Sequence, residues 1–266
     1  MKRVILAATL ALTGLTAGPV GAAPQKVPAR KPAIVLVHGA FADTSSWNKV
    51  VTILQRDGYY VISVANPLRG VRSDANYVAN VVAALKAPVV LVGHSYGGSV
   101  ISEAAEGQRN VKALVYVSAF APEVGETAAG LSAKFPGSTL AATLYPPVPL
   151  TGGGKDLYII PARFPAQFAA DVAPAEARLM AADQRPITAA ALNEPTTAPA
   201  WKHIASFSVY GDQDKNIPPK ALAFMAQRAR MKQSIVIKGG SHVVMVSHPD
   251  VVARLIETAA QYQPAK

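Results

Sequence analysis

The chain has 266 residues, half of them apolar and 16% charged, with a formal net charge of +10 and no cysteine. That length suits one large α/β domain or two small ones with a sizeable core, and the missing cysteines exclude disulfides, thiolate metal sites and a cysteine nucleophile. Lys and Arg are scattered singly apart from short groups such as Arg228-Arg230-Lys232, which excludes the clustered basic face of a nucleic-acid binder and leaves the charge to solubility or loose attraction to an anionic surface.

Met1-Lys2-Arg3, the apolar stretch Val4 to Ala17 and the small residues Val20-Gly21-Ala22-Ala23 predict an export signal over residues 1–23. A membrane anchor is the competing reading, but Thr9, Thr13, Gly14, Thr16, Gly18 and Pro19 interrupt the apolar run. Residues 24–32 read as a leader, so the expected location is the bacterial periplasm or the medium. No later apolar run reaches bilayer-spanning length.

From Ala33 the chain alternates apolar strand-length runs with helical stretches, the pattern of a mostly parallel sheet with helices on both faces. Ala33 to Val37 predicts a buried strand ending at His38-Gly39-Ala40-Phe41, then a helix over Ser45 to Arg56 capped by Thr44 or Ser45. Tyr59 to Val64 predicts a strand, Asp74 to Lys86 a helix, Val89 to Val92 a strand, Gly97 to Glu106 a helix and Val111 to Ser118 a strand. Between Phe120 and Trp201 the alternation breaks, with short helices predicted at Pro165 to Asp171, Pro174 to Asp183 and Ile187 to Asn193. An insertion there is where a cap over a site would sit, and its large apolar side chains, among them Phe135, Phe164, Phe168 and Trp201, argue against a linker. Ser206 to Tyr210 (strand), Pro219 to Ala229 (helix), Ser234 to Ile237 (strand) and Pro249 to Tyr262 (helix) close a domain spanning residues 33–266, with the cap at about 120–201.

Gly93-His94-Ser95-Tyr96-Gly97 stands between a predicted strand and a predicted helix. In that context Gly-x-Ser-x-Gly holds a serine on a sharp turn as a nucleophile, the glycines removing side chains that would clash across it. A serine needs a base and the base needs an orienting acid, in the chain order Ser, acid, His. Asp214 and Asp212 both follow a late strand in Gly211-Asp212-Gln213-Asp214, and loop position favours Asp214. Of His38, His94, His203, His242 and His248, only His242 follows the last strand on a Gly239-Gly240 loop able to bend back to the sheet edge. His38 and His94 read as packed, hydrogen-bonded residues, and His248 as a cap-region residue of the last helix. No histidine pair has helical metal-ligand spacing, so no metal is expected. The backbone N–H groups of Tyr96 and Ala40 are the expected oxyanion donors, each contributing about 3 kcal/mol to transition-state stabilisation.

Val37-His38-Gly39-Ala40-Phe41, the Ser95 pentapeptide, Gly211-Asp212-Gln213-Asp214 and Gly240-Ser241-His242 together resemble the α/β-hydrolase fold superfamily from about Ile34 to the C-terminus. Within it the short HGA loop and the Ser-His ending are similar to the branch of esterases, methyl-salicylate esterases included, and hydroxynitrile lyases. The resemblance implies a Ser95–Asp214–His242 triad, Ala40 and Tyr96 as oxyanion donors, no cofactor, and a helical cap after the sixth strand. It also marks a departure: Val243 stands where the lyases carry a Lys after the catalytic His. The expected function is hydrolysis of small to medium, mainly apolar carboxylic esters, with a small-molecule ester as the partner. Lyase or perhydrolase chemistry on the same triad, or a non-catalytic ligand-binding member of the fold, is the alternative. Oligomeric state and the identity of the ester are left open.

Overall fold

The computed structural model describes residues 31–263. The predicted export signal, and all but the last two residues of the predicted leader, therefore lie outside the described residues.

Three strand–helix units and a fourth strand come first: β1 (Ala33–Val37), α1 (Asn48–Arg56), β2 (Val61–Val64), α2 (Val71–Ala84), β3 (Val89–His94), α3 (Gly97–Ala104) and β4 (Val111–Val117). A long insertion follows, carrying α4 (Ala128–Ala133), β5 (Val148–Pro149), β6 (Lys155–Leu157), α5 (Phe164–Phe168), α6 (Pro174–Asp183), β7 (Ile187–Thr188) and α7 (Ala189–Asn193). The chain then returns to the sheet with β8 (Ser206–Gly211), α8 (Pro219–Arg228), β9 (Gln233–Ile237), α9 (Val244–Ser247) and α10 (Pro249–Gln261).

Six strands form one sheet in the order β2-β1-β3-β4-β8-β9, every neighbouring pair parallel. Every residue of β1 and β3 is buried, as expected for strands covered on both faces. The chain moves from β1 outward to β2, then back across β1 to β3, so the strand order reverses between β1 and β3. Right-handed crossovers then put α1 on one face and α2, α3 and α8 on the other, in keeping with the packing of α1 against α10 and of α2 against α3. The amphipathic pattern matches: α10 buries Val252, Ala253, Leu255, Ile256, Ala259 and Ala260, one stripe at three- and four-residue spacing. The crevice at such a reversal, outside the carboxyl ends of the strands, is where an open α/β sheet binds ligands.

Several boundaries differ from expectation, each for a local reason. A 3₁₀ turn over Thr44–Trp47 precedes α1, and its cap is Asp43, whose carboxylate accepts the Ser45 N–H, rather than Thr44 or Ser45. α2 begins at Val71 instead of Asp74 because Asp74 turns back within the first turn and accepts the Arg69 N–H with both oxygens. Ile187–Thr188, expected to open a helix, pairs instead as a strand in an antiparallel sheet ordered β5-β6-β7, and the Thr188 side chain caps α7. The insertion follows the fourth strand of the central sheet rather than a sixth, because no strand precedes β1 among the described residues. Partly buried ion pairs and polar contacts bind it to the sheet domain: Arg69 Nη1 meets Asp156 Oδ1 at 2.7 Å, and Arg228 donates to both Glu126 oxygens and to Ala121 O. Among the described residues no helix is long and apolar enough to cross a membrane.

Candidate active site

Ser95 leaves β3 and enters α3 with φ of 54°, in the left-handed region that a non-glycine residue adopts only under constraint. The constraint is close packing. A Cβ on Gly93 would lie 2.5 Å from Gly97 O, and one on Gly39 would lie 2.6 Å from the Ser95 Cβ and 3.1 Å from the Tyr96 nitrogen. The loop after β1 is thus pressed directly onto the serine turn. Ser95 N–H donates to Val117 O, and Ser95 O accepts from Gly98 and Phe120, so the turn is tied to both β4 and α3. Ser95 itself remains 6% exposed.

His242 lies in the loop between β9 and α9, and Asp214 in the loop after β8. Their side chains meet at 2.7 Å, His242 Nδ1 to Asp214 Oδ2, both fully buried. A buried carboxylate oxygen accepts here, so Nδ1 carries the proton and Nε2 is left with its lone pair. The other Asp214 oxygen accepts the backbone N–H groups of Asn216 and Ile217 at 2.8 and 2.9 Å, fixing the carboxylate plane. His242 Nε2 is buried and has no hydrogen-bond partner, Ser95 Oγ included; such contacts are often long without substrate. Asp212 takes no part in this contact: its carboxylate accepts the Gly239 N–H at 2.7 Å, pinning the start of the His242 loop.

Two further histidines support the frame. His94 Nε2 donates to His242 O at 3.2 Å, and the two rings lie 4.7 Å apart. Burial, reinforced by the neighbouring His242, pushes His94 well below its ordinary range, so the ring is neutral. His38 Nε2 accepts the Asn66 N–H at 3.0 Å, and its Nδ1–H donates to Gly39 O at 2.9 Å. Burial lowers its pKa to about 4. Among the described residues, neither the Ala40 N–H nor the Tyr96 N–H donates to a protein acceptor. The Tyr96 hydroxyl is committed elsewhere, donating to buried Asp74 at 2.9 Å, and burial raises both groups' pKa values. His203 sits near Glu106 on the surface, and His248 occupies the N-cap position of α10 as expected, its side chain leaning on Ser247 instead of accepting a capping hydrogen bond.

The alpha/beta hydrolase family model matches residues 34–255 of this chain. The chain belongs to that family. Over 250 residues it is 28% identical to the alpha/beta hydrolase nvfD of Aspergillus novofumigatus, a match covering 86% of this chain and 97% of that protein. It is 25% identical over 242 residues to an alpha-hydroxynitrile lyase of Arabidopsis thaliana, covering 83% and 93%. Among solved structures it is similar to polyneuridine aldehyde esterase, with a TM-score of 0.76 at 18% identity over 87% of this chain and 100% of that one. That likeness speaks to the fold.

In this hydrolase Ser95 and His242 line one cavity of about 350 Å³. The insertion supplies much of the wall through Ala128, Ala129, Leu140, Leu144 and Phe168, with Phe120 and Ile217 completing an apolar lining. Phe168 also packs edge-on against His242, ring centroids 5.0 Å apart, so one face of the imidazole is shielded from water. Sequence reasoning overlooked Asn66, Asp74, Gln167 and Asn216, all buried polar residues of this frame. Their partners stand up to dozens of residues away in the chain, as with Gln167 and Asn216. The one local signal was an amide, Asn216, set beside the apolar Ile217 two residues after Asp214.

Proposed function

We propose that this chain is a serine hydrolase cleaving carboxylic esters of small to medium, mainly apolar compounds. The observation that carries this reading is the His242 ring, held on Asp214 by Nδ1 at 2.7 Å while Nε2 stays uncommitted beside the cavity that Ser95 lines. A base so oriented turns a weak nucleophile into a competent one.

Ser95 Oγ forms a bond to the ester carbonyl carbon as His242 Nε2 takes its proton. The carbonyl oxygen becomes an oxyanion, received by the Ala40 and Tyr96 N–H groups, whose freedom from protein acceptors suits them to it. The carbonyl re-forms, the bond to the alkoxy oxygen breaks, and His242 protonates the leaving alcohol. Water then adds to the acyl-enzyme with His242 again as base, releasing the acid and restoring the Ser95 hydroxyl. Asp214 keeps the imidazole in the required tautomer and balances its transient charge. The mechanism calls on no cofactor. The basic start, short apolar stretch and small residues of 1–23, read as an export signal, support a periplasmic or extracellular setting.

Lyase chemistry is the second reading, since a lyase of the family is among the relatives. Val243, fully buried directly after His242, weighs against it because an apolar side chain offers no cation to a departing cyanide. The deciding experiment assays p-nitrophenyl ester hydrolysis, cyanohydrin cleavage and peracid formation side by side. Ester turnover that vanishes in Ser95→Ala supports hydrolysis; cyanohydrin cleavage dominating in the wild type overturns it.

A further inference from the structure

Beyond Ser95 and His242, one buried polar side chain of the cavity wall has an uncommitted donor. Asn216 is 4% exposed and lines the cavity, yet its Nδ2 has no hydrogen-bond partner. Of the other polar lining groups, the Tyr96 hydroxyl is spent on Asp74, Ser132 Oγ donates to Asn216 O, and Ser138 is exposed.

The orientation of this amide is forced. Gln167 Nε2 donates to Lys215 O at 2.9 Å, and a backbone carbonyl can only accept, so Gln167 cannot be turned end for end. Thr139 Oγ1 donates to Gln167 Oε1 at 2.7 Å, in agreement with that orientation. The same Gln167 nitrogen lies 2.9 Å from the Asn216 side chain, which must therefore present Oδ1 to it. Nδ2 is left without a hydrogen-bond partner, with both of its N–H donors uncommitted. A buried donor without an acceptor is costly and uncommon in folded proteins, and an acceptor brought by a ligand relieves that cost.

We propose that Asn216 is a specificity-determining residue, and that the preferred esters carry a second oxygen acceptor, such as a keto, ether or hydroxyl oxygen, on an otherwise apolar skeleton. The proposal deepens the esterase reading and rests on it only in naming the substrate an ester; the recognition of an acceptor oxygen by Asn216 stands apart from the chemistry at Ser95. Apolar walls supply affinity, and one buried amide selects among skeletons of equal size, since a site built around an unpaired donor discriminates against ligands that leave it unpaired.

The test uses p-nitrophenyl esters in pairs, an acyl chain with a keto or ether oxygen at successive positions against its hydrocarbon counterpart of equal length. The readout is the ratio of kcat/KM within each pair, wild type against Asn216→Leu, which cancels the intrinsic reactivity of each ester. The ratio falls about tenfold in the variant for at least one oxygen position, the value of one neutral hydrogen bond. Asn216→Ala gives the same readout if the leucine fails to fold. A ratio equal in all three proteins at every position overturns the proposal. Calorimetric binding of medium-chain ketones and matched alkanes to Ser95→Ala, with and without Asn216→Leu, gives the same comparison without turnover. Absence of turnover with a retained ketone preference overturns the esterase reading and leaves Asn216 in its role; turnover with no preference does the reverse.

Discussion

His38 and Asn66 hold each other by two hydrogen bonds. The Asn66 backbone N–H donates to His38 Nε2 at 3.0 Å, and Asn66 Nδ2 donates to His38 O at 2.9 Å. The pair anchors the start of the loop that carries Ala40 against Ser95. It also fixes the imidazole as a neutral acceptor, because a protonated Nε2 could not receive the Asn66 N–H.

A pH dependence of stability follows from that lock. The pKa of His38 falls from 6.5 in the unfolded chain to about 4 in the folded one, mainly through burial. The unfolded state therefore binds the extra proton first, and the stability contributed by neutral His38, fully present above pH 6.5, is lost as pH falls from there toward 4. The loss amounts to about 3 kcal/mol when complete, and buried His94 shifts in the same direction. Thermal melts from pH 7.5 to 4.5 should show a steep decline in Tm for the wild type and a shallower one for His38→Gln. Parallel slopes would contradict the assignment.

The two aspartates of the β8 loop separate by partner. Asp214 touches His242, whereas Asp212 holds the Gly239 N–H. Asp214→Asn should lower kcat by about 10⁴ with the protein still folded. Asp212→Asn should cost far less, through a loosened His242 loop. Steady-state rates on one p-nitrophenyl ester distinguish them, and a reversed order would move the acid to Asp212.

Close approach at Gly39 gives a third expectation. An alanine Cβ there would meet Ser95 Cβ at 2.6 Å and His94 O at 2.7 Å, and neither can retreat without moving the serine turn. Gly39→Ala should shift the loop that carries the proposed Ala40 donor and reduce kcat about 10²- to 10³-fold, the usual cost of one lost oxyanion donor. A compensating rise in KM alone, with kcat intact, would show that the loop serves binding instead.

Much of this arrangement was legible in the chain because its signals are local. β1, β3 and β4 are continuous apolar runs, and the Ser95 turn is written in adjacent residues between a strand and a helix. The sequence also put Asp214 and His242 each in a loop after a late strand, and folding brings those loops together. What escaped is non-local or too short to carry a period. β5, β6 and β7 span two or three residues each, and α9 is four residues long, immediately after the His242 loop. Gln167 reaches Asn216 across 49 positions, and Asn66 reaches His38 across 28, so no window of sequence contains both partners. The sequence pattern predicts Asp74 at the start of a helix; its place three residues inside α2, accepting from Arg69 and Tyr96, depends on α2 packing beside α3.

With Ser95 as the nucleophile, a fluorophosphonate probe should bond covalently to its hydroxyl oxygen. Intact-mass measurement should show one adduct on the wild-type chain and none on Ser95→Ala. Labelling of Ser95→Ala as complete as that of the wild type would place the nucleophile at another residue.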